Sequence, residues 1–278
     1  FARLVEAATR HGVPVFLCTN AALIDRQKAD FIFASSIKRI QISIDSPDPQ
    51  TLEWVRRGAR FDDVLQGVRH LVEARRDSGR RDVVLNFHAA LLRQNCAQLP
   101  DLVRLAQREG IDQVSCMFGM IHDYMDLDWS VFWCREDHNR AIDEAEAVAG
   151  MLGVVFRPWG RFDLSLTAGA PSGTAPTRNP CYQLFHWTYV DPLGIVHPCC
   201  ISSSHFLGDL KTTGFADVWH GEHYSELRRT YDTDAPSNPQ CAKCYIRLGW
   251  DRNSYRPYFA APLWPAVRAR LGMPADAS

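Results

Sequence analysis

The cysteines of this protein are concentrated in one part of the chain. Cys181 opens the stretch CYQLFHWTYVDPLGIVHPCC, which ends in Cys199 and Cys200, and Cys241 and Cys244 follow as CAKC. Four thiolates can hold a tetrahedral zinc ion or an iron–sulfur cluster. The spacing alone leaves zinc and cluster open, and it allows Cys200 to replace Cys199.

Short elements must bring these thiols together. The run HWTYVDPLGIVHP predicts a hairpin in which Gly194 permits the tight turn of DPLG, so that Cys181 and Cys199 lie near neighbouring strand ends. FADVWHGEHYSELRRTYD predicts a helix, and CAKC follows a proline-containing loop. Because so small a module buries little core, we expect a cross-linking metal centre to supply much of its stability.

The preceding part of the chain alternates strand and helix patterns. VPVFLCTN, KRIQISID, VVLNFHAAL, QVSCMF and VVFRP are apolar runs typical of strands, and amphipathic segments ending at glycines separate them. Near-continuous apolar strands with intervening helices predict a parallel sheet and the α/β class. An open sheet and part of a barrel both fit this pattern.

Polar residues recur where the predicted strands end. In parallel sheets the connecting loops at the carboxyl ends of the strands form the site, so this recurrence favours a binding site over isolated turn or cap roles. The candidates are Thr19, Asn20, Ser43, Asp45 and, within the third strand, Asn86.

Composition excludes several classes of function. The 278 residues are 46% hydrophobic with a formal net charge of −1, which gives no basic excess for nucleic acid or an anionic membrane. With no membrane-spanning run or signal peptide, the sequence predicts a cytoplasmic protein. For the scattered Cys18, Cys96, Cys116 and Cys134, we expect the role of small buried hydrophobic residues.

The chain divides at a segment rich in Gly, Pro, Ser and Thr. We expect a barrel-like domain over 1–163, a linker over 164–180, a cysteine-rich domain over 181–250 and a tail over 251–278. The first residue is Phe, and FARLVEAATRHG predicts a helix with Leu4, Val5 and Ala8 on its apolar side.

The cysteine-rich part resembles the auxiliary-cluster segment of radical S-adenosylmethionine enzymes of the SPASM and twitch type. The resemblance rests on Cys181, Gly194, Cys199 and the later CxxC, and on a "gdl…dvW…lR" stretch. That stretch corresponds here to Gly208, Asp209, Leu210, Val218, Trp219, Leu227 and Arg228. Upstream, CTNAALID is similar to the family's "TNG" segment, with Ala21 in place of glycine, and ISIDSPDPQTLEWVRRGARF is similar to its "S-x-D-g" strand end and Arg-Gly turn.

The resemblance implies a partial (β/α)6 radical SAM barrel followed by a small cluster-binding domain. It implies that Thr19, Asn20, Ser43, Asp45 and Asn86 line the S-adenosylmethionine site. It further implies that one auxiliary [4Fe–4S] cluster is held by Cys181, Cys199, Cys241 and Cys244. In such enzymes a second [4Fe–4S] cluster on CxxxCxxC generates the 5′-deoxyadenosyl radical that abstracts hydrogen from substrate.

The sequence departs from the family pattern in three places. It contains no CxxxCxxC and no GGEP-like segment, and Trp250 stands where a full SPASM pattern has a further cysteine. We therefore interpret the chain as lacking an amino-terminal portion, inactive alone, with one auxiliary cluster for electron transfer.

The function indicated is that of a radical SAM oxidoreductase or maturase. A peptide or a small molecule would be its substrate, and flavodoxin or ferredoxin its electron donor. In the aromatic and acidic segment MIHDYMDLDWSVFWCR, Tyr124 and Asp126 are candidates for proton transfer, with a surface loop packed on the barrel as the alternative. The competing hypothesis is a non-catalytic α/β protein whose four-cysteine zinc module binds a partner.

Overall fold

The computed structural model describes residues 1–168, 181–202, 205–244, 247 and 253–273. The chain divides into two compact units, 1–165 with 258–260 and 166–257 with 261–278. Most of the expected linker, and Trp250, lie outside the described residues. No helix of the described ranges is long and apolar enough to cross a membrane.

The first unit alternates helices and strands as the sequence predicts. Its strands are β1 (Val15–Thr19), β2 (Ile37–Ser43), β3 (Val84–Leu91), β4 (Gln113–Phe118) and β5 (Val155–Arg157). Its helices are α1 (Ala2–Arg10), α2 (Arg26–Ala34), α3 (Pro49–Val55), α4 (Phe61–Ser78), α5 (Leu99–Arg108) and α6 (Arg135–Leu152).

The strand order answers a question that the sequence leaves open. The five strands are all parallel and lie in chain order, β1 to β5, with no reversal. Right-handed crossovers between strands in sequential order place every helix on the same face of the sheet. A doubly wound fold would need a reversal of strand order, so this sheet is part of a barrel wall.

The strands are less uniformly apolar than expected. On the helix-covered face Ile42, Phe87 and Val114 are register partners and are fully buried. The residues between them face the other side and are largely polar. Apolar and polar residues therefore alternate along these strands, instead of forming the continuous apolar runs that the sequence predicted. The reason is that helices cover only one face of the sheet.

Local chemistry sets where the helices begin and end. Asp25 caps α2 and Asp48 caps α3, each accepting from the backbone N–H of the residue three positions further along. α4 and α6 end at Gly79 and Gly153, both in the left-handed conformation. The short α3 was not predicted, and Leu4 is 77% exposed although its pattern placed it inward.

The second unit consists of short elements. They are α7 (Gln183–His186), β6 (Tyr189–Val190), β7 (Ile195–His197), β8 (Gly208–Asp209), α8 (Phe215–Trp219), α9 (Glu222–Thr230), α10 (Pro239–Ala242) and α11 (Trp264–Arg270). Strands β6, β7 and β8 form one antiparallel sheet. A small core lies beneath them: Leu184, Val196, Leu207, Val218, Tyr224 and Leu227.

The predicted hairpin is confirmed, and the predicted long helix is two helices. In the turn between β6 and β7, Gly194 has φ +86° and its N–H donates to the Asp191 carbonyl at 3.0 Å. The helix breaks at Gly221, where a Cβ atom would lie 2.6 Å from the Asp217 carbonyl oxygen. Glycine therefore permits the close turn from α8 into α9.

Candidate functional site

A polar face lines the side of the sheet that carries no helices. Ser43, His88, Ser115 and Arg157 are successive register partners on β2 to β5. One pleat earlier, Gln41, Asn86 and Gln113 form a second row on the same side. Two rows of hydrogen-bonding side chains on the concave side of a barrel wall form a surface suited to a polar ligand.

Hydrogen bonds fix the orientation of His88 in this face. Asn86 Nδ2 donates to Ser115 Oγ at 2.9 Å, and Ser115 Oγ lies 2.8 Å from His88 Nδ1. Asn86 uses one acceptor site of the serine hydroxyl, which can donate to Nδ1 or accept from it, so the bond to Ser115 fixes the ring orientation of His88 in either tautomer. Burial lowers the pKa of His88 and favours the neutral imidazole.

Two buried polar atoms on this face have no partner among the described residues. They are Asn86 Oδ1, whose residue is 0% exposed, and Gln113 Nε2, whose residue is 6% exposed. A buried amide group without a partner is costly, so such groups are normally satisfied by a ligand or by water. One atom accepts and the other donates, and they belong to register partners.

The carboxyl end of β1 forms a tight turn. Thr19 Oγ1 and Asn20 Oδ1 accept hydrogen bonds from the backbone N–H groups of Ala21 and Ala22, at 3.0 and 3.3 Å. Ala21 has φ +60°, the left-handed conformation that favours glycine, although it carries a side chain. α4 comes so close that a Cβ on Gly67 would overlap the Ala21 carbonyl oxygen.

Asp45 braces the ends of β2 and β3. Its Oδ1 accepts from the Ala90 N–H at 2.8 Å and from Arg56 Nη2 at 3.1 Å, and its Oδ2 lies 2.6 Å from Arg56 Nε. The Asp45 carbonyl accepts from Asn95 Nδ2 at 2.9 Å. Both carboxylate oxygens therefore have protein partners, and a structural role accounts for this residue.

The segment between β4 and α6 is packed through its aromatic residues. Trp129 makes an edge contact with Trp54 at 4.8 Å between ring centres, and the Ile121 N–H donates to the Tyr258 carbonyl at 2.8 Å. Tyr124 is 83% exposed, and Asp126 caps a short turn by accepting from the Asp128 N–H. These contacts match the alternative of a loop packed on the barrel and bring neither candidate to the polar face.

In the second unit, the four predicted thiols lie in one neighbourhood. Cys181 and Cys241 pack against the small core. Burial raises the pKa of Cys241 to about 12, and the charges of Cys244, Cys181 and Cys199 contribute to the increase. Burial likewise raises the pKa of Cys181, to which Cys244 contributes. The CAKC motif lies at the end of α10, where the Cys244 N–H donates to the Cys241 carbonyl at 3.2 Å.

The neighbours of Cys199 differ in environment. Cys200 is exposed, whereas Cys199 is half-buried. The buried His197 lies 3.1 Å from the His205 carbonyl through Nδ1 and 3.3 Å from Asp191 Oδ2 through Nε2. One ring nitrogen of His197 thus contacts the hairpin turn, and the other contacts the segment that leads to β8.

The donor set of the second unit consists of thiols. Four thiolates can hold either an iron–sulfur cluster or a tetrahedral zinc ion. In a [4Fe–4S] cluster each thiolate binds a different iron, so the sulfurs lie farther apart than around one zinc ion. No three His, Cys, Asp or Glu side chains of the described residues are arranged to hold one metal ion.

Sequence reasoning missed several polar-face residues. Gln41, His88, Gln113, Ser115 and Arg157 were not predicted, although RIQIS and NFH alternate polar and apolar residues with the period of a strand. That alternation was the available signal. The pairing of the strands, which brings these residues into rows, could be read only from the structure.

A family model matches part of each of the two units. The Radical SAM superfamily model matches residues 1–106, and the SPASM model, described as an iron–sulfur cluster-binding domain, matches residues 181–245. The latter range contains all four predicted ligands. An iron–sulfur domain, rather than the zinc module of the competing hypothesis, therefore forms this part of the chain.

Individual relatives agree with the family models. The mycofactocin maturase MftC of Mycolicibacterium smegmatis is 29% identical over 252 residues, which cover 88% of this chain and 59% of that protein. Streptococcus suis SuiB bound to S-adenosylmethionine has a similar fold, with a TM-score of 0.56, 15% identity and coverage of 94% of this chain and 62% of that one. SuiB bound to its precursor peptide SuiA gives a TM-score of 0.56 and 15% identity, over 89% and 56%.

The chain spans about 59% of the length of its curated relative MftC. Its parallel sheet in chain order, its polar concave face and its gathered thiols agree with the two family matches. Residues 1–106 thus match the radical SAM superfamily and residues 181–245 the SPASM iron–sulfur cluster-binding domain, in a chain that folds as a partial (β/α) barrel and a small second unit.

Proposed function

We propose that this chain forms part of a radical SAM maturase that oxidises a peptide substrate with the help of one auxiliary [4Fe–4S] cluster. The observation that carries this proposal is the gathering of the half-buried Cys181, Cys199, Cys241 and Cys244 in one neighbourhood, within the segment that matches the SPASM domain. With four thiolates and four irons, such a cluster has no open iron for substrate. Electron transfer is then its task.

The cofactor face is proposed to be the polar side of the barrel wall. Ser43 lies at the carboxyl end of β2, beside His88 in the register, and the unpartnered Asn86 Oδ1 and Gln113 Nε2 lie one pleat away. These groups would accept from and donate to the ribose, the amino acid part or the base of S-adenosylmethionine. Thr19 and Asn20 would shape the adjoining turn rather than contact the cofactor.

When bound, S-adenosylmethionine and its own cluster supply the 5′-deoxyadenosyl radical that removes a hydrogen atom from substrate. The residues of this chain orient and enclose these groups. His88, whose Nδ1 is bound to Ser115, leaves its Nε2 for a hydrogen bond to the cofactor, and the Asp45–Arg56 brace holds the two strand ends in place. Since the 278 residues contain no CxxxCxxC, the chain alone is proposed not to cleave the cofactor.

A peptide is favoured over a small molecule as the substrate. MftC is named as a maturase, and SuiB has been solved with a precursor peptide. A reduced ferredoxin or flavodoxin would deliver the electrons. Tyr124 and Asp126 remain candidates for proton transfer only if the exposed segment that bears them moves toward substrate.

The cluster is tested by anaerobic reconstitution of this chain with iron and sulfide. We expect a brown protein with about four irons per chain. Cys241→Ser should lose most of this iron because one thiolate is missing, whereas Cys200→Ser should keep it. A colourless protein that instead binds one tight zinc ion, or equal iron in the Cys241 variant, would contradict the proposal.

The cofactor face is tested with S-adenosylhomocysteine, which shares the nucleoside and does not need the missing cysteine motif to be recognised. Titration followed by NMR should show shifts at Ser43 and His88. Asn86→Ala should weaken binding about tenfold, the effect of one lost hydrogen bond of about 1.4 kcal/mol. Gln107→Ala, at an exposed position on α5, is the matched control.

A further inference from the structure

Two cysteines outside both proposed sites meet near the carboxyl edge of the sheet. Cys96 opens the short turn before α5, and Cys134 immediately precedes α6, which packs against α5 and against that turn. Both cysteines line one cavity of about 240 Å³, together with Arg93, Asp137 and Arg140.

The two thiols influence each other's ionisation. Their interaction lowers the pKa of Cys96, with a further contribution from the Ala97 N–H, and it raises the pKa of Cys134. In the neutral pair each thiol donates to a backbone carbonyl oxygen at 3.6 Å, that of Arg93 for Cys96 and that of Val131 for Cys134. Of the two thiols that line the cavity, Cys96 therefore ionises first.

Access to the pair is asymmetric. Cys96 is 2% exposed, whereas Cys134 is half-buried. An oxidant must therefore reach Cys96 through the cavity, which admits a molecule the size of hydrogen peroxide more readily than a bulky disulfide. Cys18 is exposed and Cys116 is 3% exposed, so these two cysteines serve as controls for an accessible thiol and a buried thiol.

We propose that Cys96 and Cys134 form a peroxide-reactive dithiol, a modification site in which Cys96 is the nucleophile and Cys134 the resolving thiol. This proposal does not rest on the function proposed above. It goes beyond the expectation that both residues act as small buried hydrophobic residues, which the 2% exposure of Cys96 agrees with.

The chemistry balances with one peroxide per pair. The Cys96 thiolate attacks one oxygen of hydrogen peroxide, so that an S–O bond forms as the O–O bond breaks, and the departing hydroxide takes a proton to become water. The Cys134 sulfur, having released its proton, then attacks the Cys96 sulfur, so that an S–S bond forms and the S–O bond breaks to yield a second water. Two thiols and one peroxide thus become one disulfide and two waters.

The test is cysteine mapping of the chain after treatment with hydrogen peroxide. The folded protein receives one equivalent of peroxide, is alkylated, and is digested with trypsin without reduction for mass spectrometry. Because Cys116 shares a tryptic peptide with Cys134, the experiment is run in parallel in Cys116→Ala. We expect a Cys96–Cys134 disulfide that dithiothreitol removes, while Cys18 is still recovered as alkylated thiol.

Two variants separate the roles of the thiols. Cys134→Ser should stop at a Cys96 sulfenic acid, which dimedone traps, and Cys96→Ser should leave Cys134 alkylated as a thiol at the same peroxide dose. The proposal is overturned if both thiols survive in the unmutated chain while Cys18 is oxidised. It is also overturned if Cys134 is oxidised equally fast in Cys96→Ser. Disulfide formation is measured in the unmutated chain, so that result decides the proposal even if a variant does not fold.

Discussion

The two units of this protein hold their functional residues by different means. In the first unit, the polar face is set by the register of long parallel strands whose opposite face is fully buried, as at Ile42 and Phe87. In the second unit, the four thiols lie on separate short elements around a core of few side chains. The first arrangement is stable through apolar burial, and the second needs a cross-link. Cluster binding should therefore matter to only one unit.

Arg228 offers the largest single-residue effect on the second unit. Its guanidinium lies 4.4 Å from the Trp219 ring centre and 4.6 Å from that of Tyr224, and it donates to the carbonyls of Leu184 and Trp219. Losing the cation–π contacts and two charged hydrogen bonds should cost roughly 3–5 kcal/mol. We expect Arg228→Ala to unfold the second unit, as measured by loss of its amide signals in NMR spectra.

The matched control for that substitution is Arg229→Ala, because Arg229 is exposed on the same helix. Its spectrum should remain that of the unmutated chain. If both variants give the same spectrum, the contacts of Arg228 are not what holds α9 to α7. The second unit would then depend less on single contacts than we infer.

A close backbone approach should control the stability of the first unit. The Cβ introduced by Gly67→Ala would overlap the Ala21 carbonyl oxygen, so α4 or the turn after β1 must shift. We expect a loss of about 2–3 kcal/mol in the free energy of unfolding, measured by urea denaturation. Gly150→Ala, with no atom within 4 Å of its Cβ, should instead gain about 0.5–1 kcal/mol from helix propensity.

Removing the charge of Asp45, which braces the ends of β2 and β3, should reduce stability by a smaller amount. Asp45→Asn keeps the shape of the side chain but removes its negative charge. The ion pair with Arg56 is then lost, and the hydrogen bond from the Ala90 N–H is weakened. Because Arg56 is partly exposed, the expected loss is about 1–2 kcal/mol. Asp30→Asn, which alters an exposed ion pair on α2, should change stability by less than about 0.5 kcal/mol. Equal effects would remove the case for a structural Asp45.

The smallest predicted effect concerns pH. Burial lowers the pKa of His88 in the folded chain, so the unfolded chain binds its proton first as the pH falls below about 6.5. Stability should therefore decrease as the pH falls from 7 toward 5, and His88→Gln should make that decrease less steep. Denaturation of both proteins at several pH values checks this assignment, and equal slopes would contradict it.

The sequence predicted most elements but not their pairing. Strand and helix periods located β1 to β5 and the helices that alternate with them, and Gly194 located the hairpin turn, because these signals are local. Whether the strands form a barrel wall depends on their order, which is a property of non-local contacts. The missed α3 is a helix of only seven residues, too short for its helical period to stand out in the sequence, and Asp48 caps it.

The cysteines could be proposed from the sequence more fully than the residues of the polar face, because only the cysteines carry a local signal. The four cysteines could be proposed because their spacing is itself the signal, whereas His88 and Ser115 gain meaning only as register partners across two strands. Asp45 was chosen for its place at a strand end, yet its neighbours Arg56 and Ala90 bind its carboxylate. The meeting of Cys96 with Cys134 likewise depends on the packing of α6 and leaves no trace in sequence spacing.

Hydrogen exchange with and without the cluster measures how far the second unit depends on the cluster for its structure. The reconstituted chain and the iron-free chain are compared by mass spectrometry, peptide by peptide. We expect peptides from 181–244 to lose most of their protection without iron, while peptides from β2, β3 and β4 exchange at unchanged rates. Equal protection of the second unit in both forms would contradict this expectation, because the thiols would then not depend on a cluster for their arrangement.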